Sequence, residues 1–65
     1  MSIIEYMAKY GMSPKDFSDK FDVGVATVYA WVNRRNKPSL EVLMHLVQES
    51  NGEITFEAVA RHPQA

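Results

Sequence analysis

Three of the seven cationic side chains in this 65-residue sequence lie within four positions, at Arg34, Arg35 and Lys37. Guanidinium and ammonium groups can hold the phosphate oxygens of a nucleic acid, which positions a protein without reading the base sequence. The whole chain has a net charge of −1, and three glutamates oppose one arginine after residue 48. Because charge distribution says more than net charge, the cluster favours a small nucleic-acid contact. A solvated loop whose charges only serve solubility is the alternative.

Small apolar and hydrogen-bonding side chains occupy the segment just before this cluster. Base edges in the major groove of DNA are read by hydrogen bonds and by apolar contact with thymine methyl groups. Valine and alanine can make only the second contact, whereas threonine, tyrosine and asparagine can hydrogen-bond to bases or phosphates. We predict that base edges are contacted by Val25, Ala26, Thr27, Tyr29, Ala30 and Asn33. We predict that phosphates are contacted by Lys15, Arg34, Arg35 and Lys37.

Tyr29 and Thr27 have alternative roles, and Lys15 lies apart from the basic cluster in the sequence. Tyr29 could instead be a partly buried surface aromatic, and the Thr27 hydroxyl could serve only its own helix by bonding a carbonyl one turn back. Lys15 is placed near the start of a predicted helix, where free amides and the positive end of the helix dipole favour a further phosphate.

The sequence lacks the residue patterns of catalysis and metal binding. It contains no cysteine, and its two histidines, His45 and His62, have no tight carboxylate cluster beside them. Structural zinc sites need four such ligands and catalytic sites three. A nucleophile with its base and orienting group is missing too, as is a phosphate-binding glycine loop. We therefore predict no enzyme activity, no metal, no cofactor and no small-molecule ligand, and we expect His45 to face solvent.

The length and composition predict one small domain over residues 1–65. A domain of this size buries only about 60% of the surface of its unfolded chain, so a deep enzymatic cleft is hard to build. The longest apolar runs are too short to span a bilayer, and no basic start leads into a signal segment. Together with the lack of cysteine, this predicts a cytoplasmic protein without membrane contact.

The elements that would position the candidate residues are two short helices joined by a tight turn. The second helix begins at Ser13-Pro14, with serine as the cap and proline at the first helical position. It ends at Asp22, whose short side chain tolerates left-handed backbone angles. Val23 fills the turn, and Gly24 lets the chain reverse.

A third helix follows over about residues 25–33. Val28, Trp31 and Val32 form its buried stripe, which leaves the predicted base-contacting residues mostly on the other side. Residues 13–33 thus form a helix-turn-helix, a unit that can lay one helix along the major groove of DNA.

The remaining segments predict further short helices. A first helix over residues 3–10 starts with a Ser2–Glu5 capping box and stops at Gly11. A fourth helix starts after Ser39 and ends at Asn51-Gly52. Residues 54–59 favour a helix capped by Thr55 over a strand, because their apolar residues do not alternate. Residues 62–65 are a predicted frayed tail, and the fold class is an all-α bundle of about five short helices.

Residues 3–47 resemble the lambda-repressor/Cro-like helix-turn-helix family of phage and bacterial regulators. The likeness rests on Tyr10-Gly11, Phe17, Ser18, Phe21, Val23, Val28, Trp31 and the run from Arg34 to Leu43. The segment from Gly52 to Glu57 is also similar to the tail of small Cro-like prophage regulators. The resemblance implies a bundle of about five helices, operator binding and transcriptional repression in a bacterial or phage-infected cell. It places base contacts on Val25, Ala26, Tyr29 and Ala30, and backbone contacts on Asn33 and the basic loop.

Three departures from the family pattern concern DNA contact. Pro14 stands where the family often has a glutamine that contacts a phosphate. Asp22 replaces the glycine of the turn and brings a negative charge within reach of DNA. The base-contacting positions lack glutamine, lysine and arginine. We therefore expect specificity to rest on thymine methyl groups, Tyr29 and DNA shape, or binding to be weak and to need a partner protein.

One helix-turn-helix reads only half of a two-fold operator, so a homodimer is expected. The exposed side of the fourth helix and the segment 52–62, through Ile54, Phe56 and Val59, could form the dimer contact. The same three residues could equally seal the core of the monomer. A DNA-binding antitoxin, an excision factor and a helix-turn-helix reused for protein contacts, such as an antirepressor, are the alternatives to a repressor.

Overall fold

The computed structural model describes residues 1–61, for Arg61 without its side chain. The predicted tail, 62–65, lies outside this range. Within the described residues the chain is an all-helical bundle, as predicted, and its five helices are α1 (Ile3–Tyr10), α2 (Pro14–Phe21), α3 (Val25–Val32), α4 (Leu40–Glu49) and α5 (Phe56–Arg61).

Short polar side chains determine where the helices begin. At α1, the Ser2 hydroxyl accepts the Glu5 N–H while the Glu5 carboxylate accepts the Ser2 N–H at 2.7 Å. Ser13 and Asp16 form the same reciprocal pair at the start of α2. Each such cap stabilises a helix by about 1 kcal/mol, because it satisfies backbone donors that the helix itself leaves unpaired. These caps confirm the predicted starts of the first two helices.

A residue with left-handed backbone angles follows each of the first four helices. The φ values are 62° at Gly11, 56° at Asp22, 60° at Arg34 and 55° at Asn51. Three of these four positions carry a side chain, and left-handed angles bring its Cβ close to the following carbonyl oxygen. Aspartate and asparagine tolerate this conformation better than most residues, whereas arginine has no such advantage.

The core consists of aromatic side chains, branched aliphatic side chains and Met7, from all five helices and the segment before α5. Phe17 and Phe21, one turn apart on α2, have ring centroids 4.4 Å apart. The Tyr6 ring packs edge-on against both, at 6.2 Å and 5.6 Å. Phe17, Phe21 and Trp31 are buried, and the burial of Trp31 confirms its prediction as part of the buried stripe of α3.

The segment before α5 closes the bundle against the start of the chain. The Met1 amino group donates to the Glu53 carbonyl, and the Thr55 N–H donates to the Met1 carbonyl at 3.2 Å. α5 starts at Phe56, directly after its predicted cap: the Thr55 hydroxyl accepts the Ala58 N–H at 3.2 Å, which confirms a helix rather than a strand here. Ile54, fully buried, precedes that cap.

Two of the three residues considered for a dimer contact belong to the core of the monomer. Ile54 is 0% exposed and Val59 is 5% exposed, whereas Phe56 is 42% exposed. A buried side chain cannot contact a second copy without unfolding its surroundings. Only Phe56 of this trio is therefore available to a partner.

Three polar side chains at the surface, Lys9 and Tyr10 on α1 and Glu53 before α5, join α1 to the segment before α5. The Glu53 carboxylate accepts the Lys9 ammonium at 2.6 Å and the Tyr10 hydroxyl at 2.5 Å. These two donors lower the pKa of Glu53, and the Glu53 carboxylate in turn raises the pKa of Lys9. All three side chains remain partly exposed, so the cluster fastens α1 to the chain before α5 at the surface of the bundle.

Candidate DNA interface

α3 has an inner side held by the core and an outer side open to solvent. Val28 is fully buried and Trp31 is 6% exposed, and α2 packs against this inner side. On the opposite side Tyr29 is 47% exposed and Val25 is 38% exposed. We define the outer side of α3 by the six residues predicted to contact bases: Val25, Ala26, Thr27, Tyr29, Ala30 and Asn33. All are exposed except Ala30, which is half-buried.

The exposure of the six residues follows from helix geometry. Residues that differ by three or four positions share a helix side, so burial of Val28 and Trp31 leaves Ala26, Tyr29 and Asn33 opposite them. The α-helix ends at Val32, one residue earlier than predicted, and Asn33 is its C-cap with φ −83°. Asn33 therefore lies at the junction between the outer side of α3 and the cations that follow.

The turn between α2 and α3 reverses at Asp22 and not at Gly24. Asp22 has left-handed backbone angles, and the N–H of the next residue, Val23, donates to the Ser18 carbonyl at 3.1 Å. Gly24 has φ −65° and ψ 138°, an extended conformation open to any residue. A Cβ atom at Gly24 would lie 3.5 Å from the Thr27 hydroxyl oxygen, an ordinary contact. The prediction that Gly24 makes the reversal is therefore wrong.

The basic loop, residues 34–37, begins with a fixed backbone geometry. The Arg34 N–H donates to the Trp31 carbonyl at 3.1 Å, and the Arg35 N–H donates to the Ala30 carbonyl at 2.9 Å. These two bonds form a Schellman motif, which satisfies carbonyls at the end of a helix and requires left-handed angles at its first residue outside. Arg34 takes those angles. The loop therefore leaves α3 in one direction, and the side chains of Arg34, Arg35 and Lys37 are exposed.

Lys15 lies apart from the basic loop in sequence, on the first turn of α2. Its ammonium is 3.0 Å from the Asp19 carboxylate, one turn along, and both side chains are about two-thirds exposed. An exposed pair of this kind contributes only about 0.3–0.5 kcal/mol, so a phosphate can replace Asp19. The Asp16 carboxylate belongs to the cap of the same turn. Two carboxylates thus accompany Lys15 on α2, which makes it a weaker candidate for phosphate contact than the basic loop.

A contact that the sequence did not predict ties α4 to the end of α2. The His45 Nε2 atom lies 2.9 Å from the Phe21 carbonyl oxygen, and a carbonyl only accepts, so Nε2 carries the proton. His45 is exposed, as predicted, but the Nε2 edge of its ring bonds to the protein. Because the bond joins residues 24 positions apart, no local sequence pattern could have predicted it.

Two other kinds of feature, a metal site and a membrane-spanning helix, are absent from the part of the chain that the structure describes. Among residues 1–61, no group of three or more histidine, aspartate or glutamate side chains is arranged to hold a metal ion. None of the helices in that part of the chain is long and apolar enough to cross a membrane.

The sequence matches a known protein family. Residues 3–48, more than half of the chain, match the model of a helix-turn-helix family. The match includes α1 to α4 almost completely, and with them the turn, the outer side of α3 and the basic loop. No curated protein and no solved structure matches the sequence.

Proposed function

The chain belongs to the lambda-repressor/Cro-like helix-turn-helix family of DNA-binding regulators, and on that premise we propose that it is a Cro-like phage or prophage repressor. It would act in the cytoplasm of a bacterial or phage-infected cell. In this proposal α3 enters the major groove of operator DNA and the bound protein blocks transcription.

The observation that carries this proposal is the continuity between the outer side of α3 and the basic loop. The groove of B-DNA is about 12 Å wide and admits a single helix, and cations beside the helix then meet the flanking phosphates. The eight residues of α3 span about 12 Å, which corresponds to about four base pairs. Asn33 and Arg34 lie where the helix ends and the loop begins, so base contact and phosphate contact adjoin.

Each candidate residue has a role that its chemistry permits. Val25, Ala26 and Ala30 can pack on base methyl groups, while Thr27, Tyr29 and Asn33 can donate hydrogen bonds to bases or phosphates. The phosphate contacts are assigned to Arg34, Arg35 and Lys37, with Lys15 as a further contact. The fixed exit of the basic loop supports this assignment, because a positioned cation loses less entropy on binding than a mobile one.

The size of the domain favours binding as a homodimer. Its longest extent is 25 Å, whereas the half-sites of a two-fold operator are about 34 Å apart, so one copy cannot contact both. A four-base-pair half-site is also too short for specificity in a genome of 10⁶ or more base pairs. The candidate contact is exposed and apolar: Leu40 is 66% exposed and Met44, one turn on, is 54% exposed. Phe56 at the start of α5 completes the set.

Sedimentation velocity across a concentration series, with and without operator duplex, tests the dimer. We expect Met44→Glu to lower the fraction of dimer and weaken operator binding, because it places a charge in an apolar contact. Ala8→Glu, the same added charge at an exposed position of α1, is the control and should change neither. A monomer on the DNA, with one copy per operator, would refute the dimer.

One observation favours a second candidate function, a protein-interaction module such as an antirepressor. The outer side of α3 contains no lysine, arginine, glutamine or carboxylate, and exposed apolar surface often marks contact with another protein. A DNA-binding antitoxin or an excision factor would use the same DNA contacts as a repressor, so the interface does not favour either of them.

Selection of bound sequences from a random duplex pool, followed by salt titration, tests the main proposal. An enriched two-fold motif would support operator binding. We expect single changes of Arg34, Arg35 or Lys37 to glutamine each to reduce the slope of log Kd against log salt by about one unit. Lys20→Gln is the matched control, because Lys20 lies over the Phe21 ring, away from the basic loop in sequence. If no duplex binds at low salt, the repressor proposal fails, and the result supports the protein-interaction function instead.

A further inference from the structure

The first two residues of α3 are apolar, and they lie where a recognition helix meets the bases. Helices of this type contact base edges mainly through their N-terminal residues, and here those residues are Val25 and Ala26. Both are exposed, and Ala30, half-buried, lies one turn beyond Ala26 on the same side. Their side chains contain neither a donor nor an acceptor, so they have no means of recognising the polar atoms of a base.

The one base feature that such side chains can recognise is the methyl group at C5 of a pyrimidine. Thymine carries this methyl group in the major groove, and cytosine lacks it. Cytosine that has been methylated at C5 carries the same methyl group at the same position. It differs from thymine in its amino group at C4, a feature that valine and alanine cannot distinguish from the thymine oxygen.

We propose that Val25, Ala26 and Ala30 recognise the C5 methyl group itself, so that 5-methylcytosine can replace thymine in the half-site. The inference rests on the proposed function and deepens it, because it assigns a chemical class of operator: duplexes with C5-methylated pyrimidines under the start of α3. Cytosine methylation then creates binding sites for this protein out of sequences that it otherwise binds weakly.

The hydrogen-bonding residues of the outer side do not remove this equivalence. Tyr29 and Asn33 lie in the second half of α3 and at its C-cap, next to the basic loop, where contact with phosphates is as accessible as contact with bases. Thr27 lies on the first turn, at an edge of the outer side rather than its centre.

The test uses four versions of each pyrimidine in the selected half-site: thymine, uracil, 5-methylcytosine and cytosine, with adenine or guanine opposite. Thymine differs from uracil, and 5-methylcytosine from cytosine, by the same methyl group. Burial of one methyl group corresponds to about a fourfold change in Kd. At contacted positions we expect this fourfold loss for thymine→uracil and again for 5-methylcytosine→cytosine, with thymine and 5-methylcytosine within about twofold of each other.

Two variants connect the effect to individual residues. Val25→Thr keeps the shape of the side chain and replaces one methyl group by a hydroxyl, so it should reduce the methyl effect at one position only. Tyr29→Phe, which removes only a hydroxyl, should leave the methyl effect unchanged. Both residues are exposed, so folding is expected to be unaffected, and circular dichroism checks this.

The possible outcomes separate this inference from the proposed function. If duplexes bind and uracil equals thymine at every position, methyl recognition is refuted while operator binding stands. If thymine binds tenfold or more tightly than 5-methylcytosine at the methyl-sensitive positions, base identity is read by hydrogen bonds and the equivalence is refuted. If no duplex binds at low salt, the proposed function fails and the inference fails with it.

Discussion

Replacement of Arg34 by glycine should make the protein more stable and weaken its binding to DNA. Arg34 has φ 60°, which the Schellman motif at the end of α3 requires. Glycine is the residue that usually fills this position, because it adopts left-handed angles without a Cβ clash. An arginine at such a position carries a conformational cost that its charge would explain if it binds a phosphate.

The backbone contribution to this effect can be estimated from the angles at Arg34. Left-handed angles cost a residue with a Cβ atom about 1–2 kcal/mol. Glycine recovers this, but its greater freedom in the unfolded chain takes back about 0.5–1 kcal/mol. We expect Arg34→Gly to raise the free energy of unfolding by about 0.5–1 kcal/mol. For a domain of this size that is an increase in Tm of several degrees, since 1 kcal/mol corresponds to about 4–8 °C.

The neighbouring arginine provides a matched control. Arg35 is exposed like Arg34, but among residues 1–61 its φ is not one of the positive values. Arg35→Gly removes the same kind of side chain without relieving any backbone cost, so it should lower the free energy of unfolding by about 0.5–1 kcal/mol. In DNA binding the two variants should behave alike, each reducing the salt slope by about one unit.

Thermal and urea unfolding, followed by circular dichroism, measure the first effect. Fluorescence anisotropy with the selected duplex at several salt concentrations measures the second. The reasoning about backbone strain is refuted if Arg34→Gly is less stable than the parent protein. The assignment of Arg34 to a phosphate is refuted if the variant binds with an unchanged salt slope.

Three further perturbations have expected outcomes. Trp31→Ala should lower the free energy of unfolding by about 3–5 kcal/mol, which is comparable with the total stability of so small a domain. Circular dichroism should then show a largely unfolded chain, whereas the control Trp31→Phe should stay folded. Asp22→Asn keeps a side chain that tolerates left-handed angles and removes a negative charge within reach of DNA. Fluorescence anisotropy should therefore show that Kd for DNA falls about twofold at low salt. An unchanged Kd would place Asp22 away from the phosphates. Glu53→Gln should lower stability at pH 7, because Lys9 and Tyr10 hold the pKa of Glu53 below its usual range and its carboxylate stabilises the folded state only when ionised. The difference in the free energy of unfolding between parent and variant should shrink as the pH falls from the usual glutamate range through the lowered pKa of Glu53. Urea unfolding at several pH values measures this difference. A difference that does not change with pH would show that the carboxylate has no such role.

The helix starts and most helix ends were predictable because their chemistry is local. A cap such as Ser13 bonds residues three positions away, so the pattern is visible in four consecutive letters of the sequence. The left-handed end at Asp22 was predicted for the same reason, since its conformation depends on the residue itself. The inner side of α3, with Val28 and Trp31, followed from the helical period alone.

Features that depend on distant partners were not predictable in this way. The bond between His45 and the Phe21 carbonyl, and the Glu53 carboxylate between Lys9 and Tyr10, join residues far apart in sequence.

The left-handed Arg34 was missed for a different reason. Arginine has no tendency towards that conformation, so no propensity indicates it, and the two backbone bonds at the end of α3 impose it. Residue type and position predict six base-contacting residues and four phosphate-contacting residues. The structure exposes nine of these ten side chains and half-buries Ala30, and whether they touch DNA stays a prediction.

The division of α3 into two sides has a consequence for how such a protein can change over generations. Folding depends on Val28 and Trp31, which the outer residues do not replace or support. If Val25 and Ala26 contact bases as proposed, a mutation at either residue alters which DNA sequences are bound while leaving the thermal stability of the domain nearly untouched. Lineages that carry this chain would then be free to acquire new DNA targets by single nucleotide changes, without a compensating repair elsewhere in the bundle.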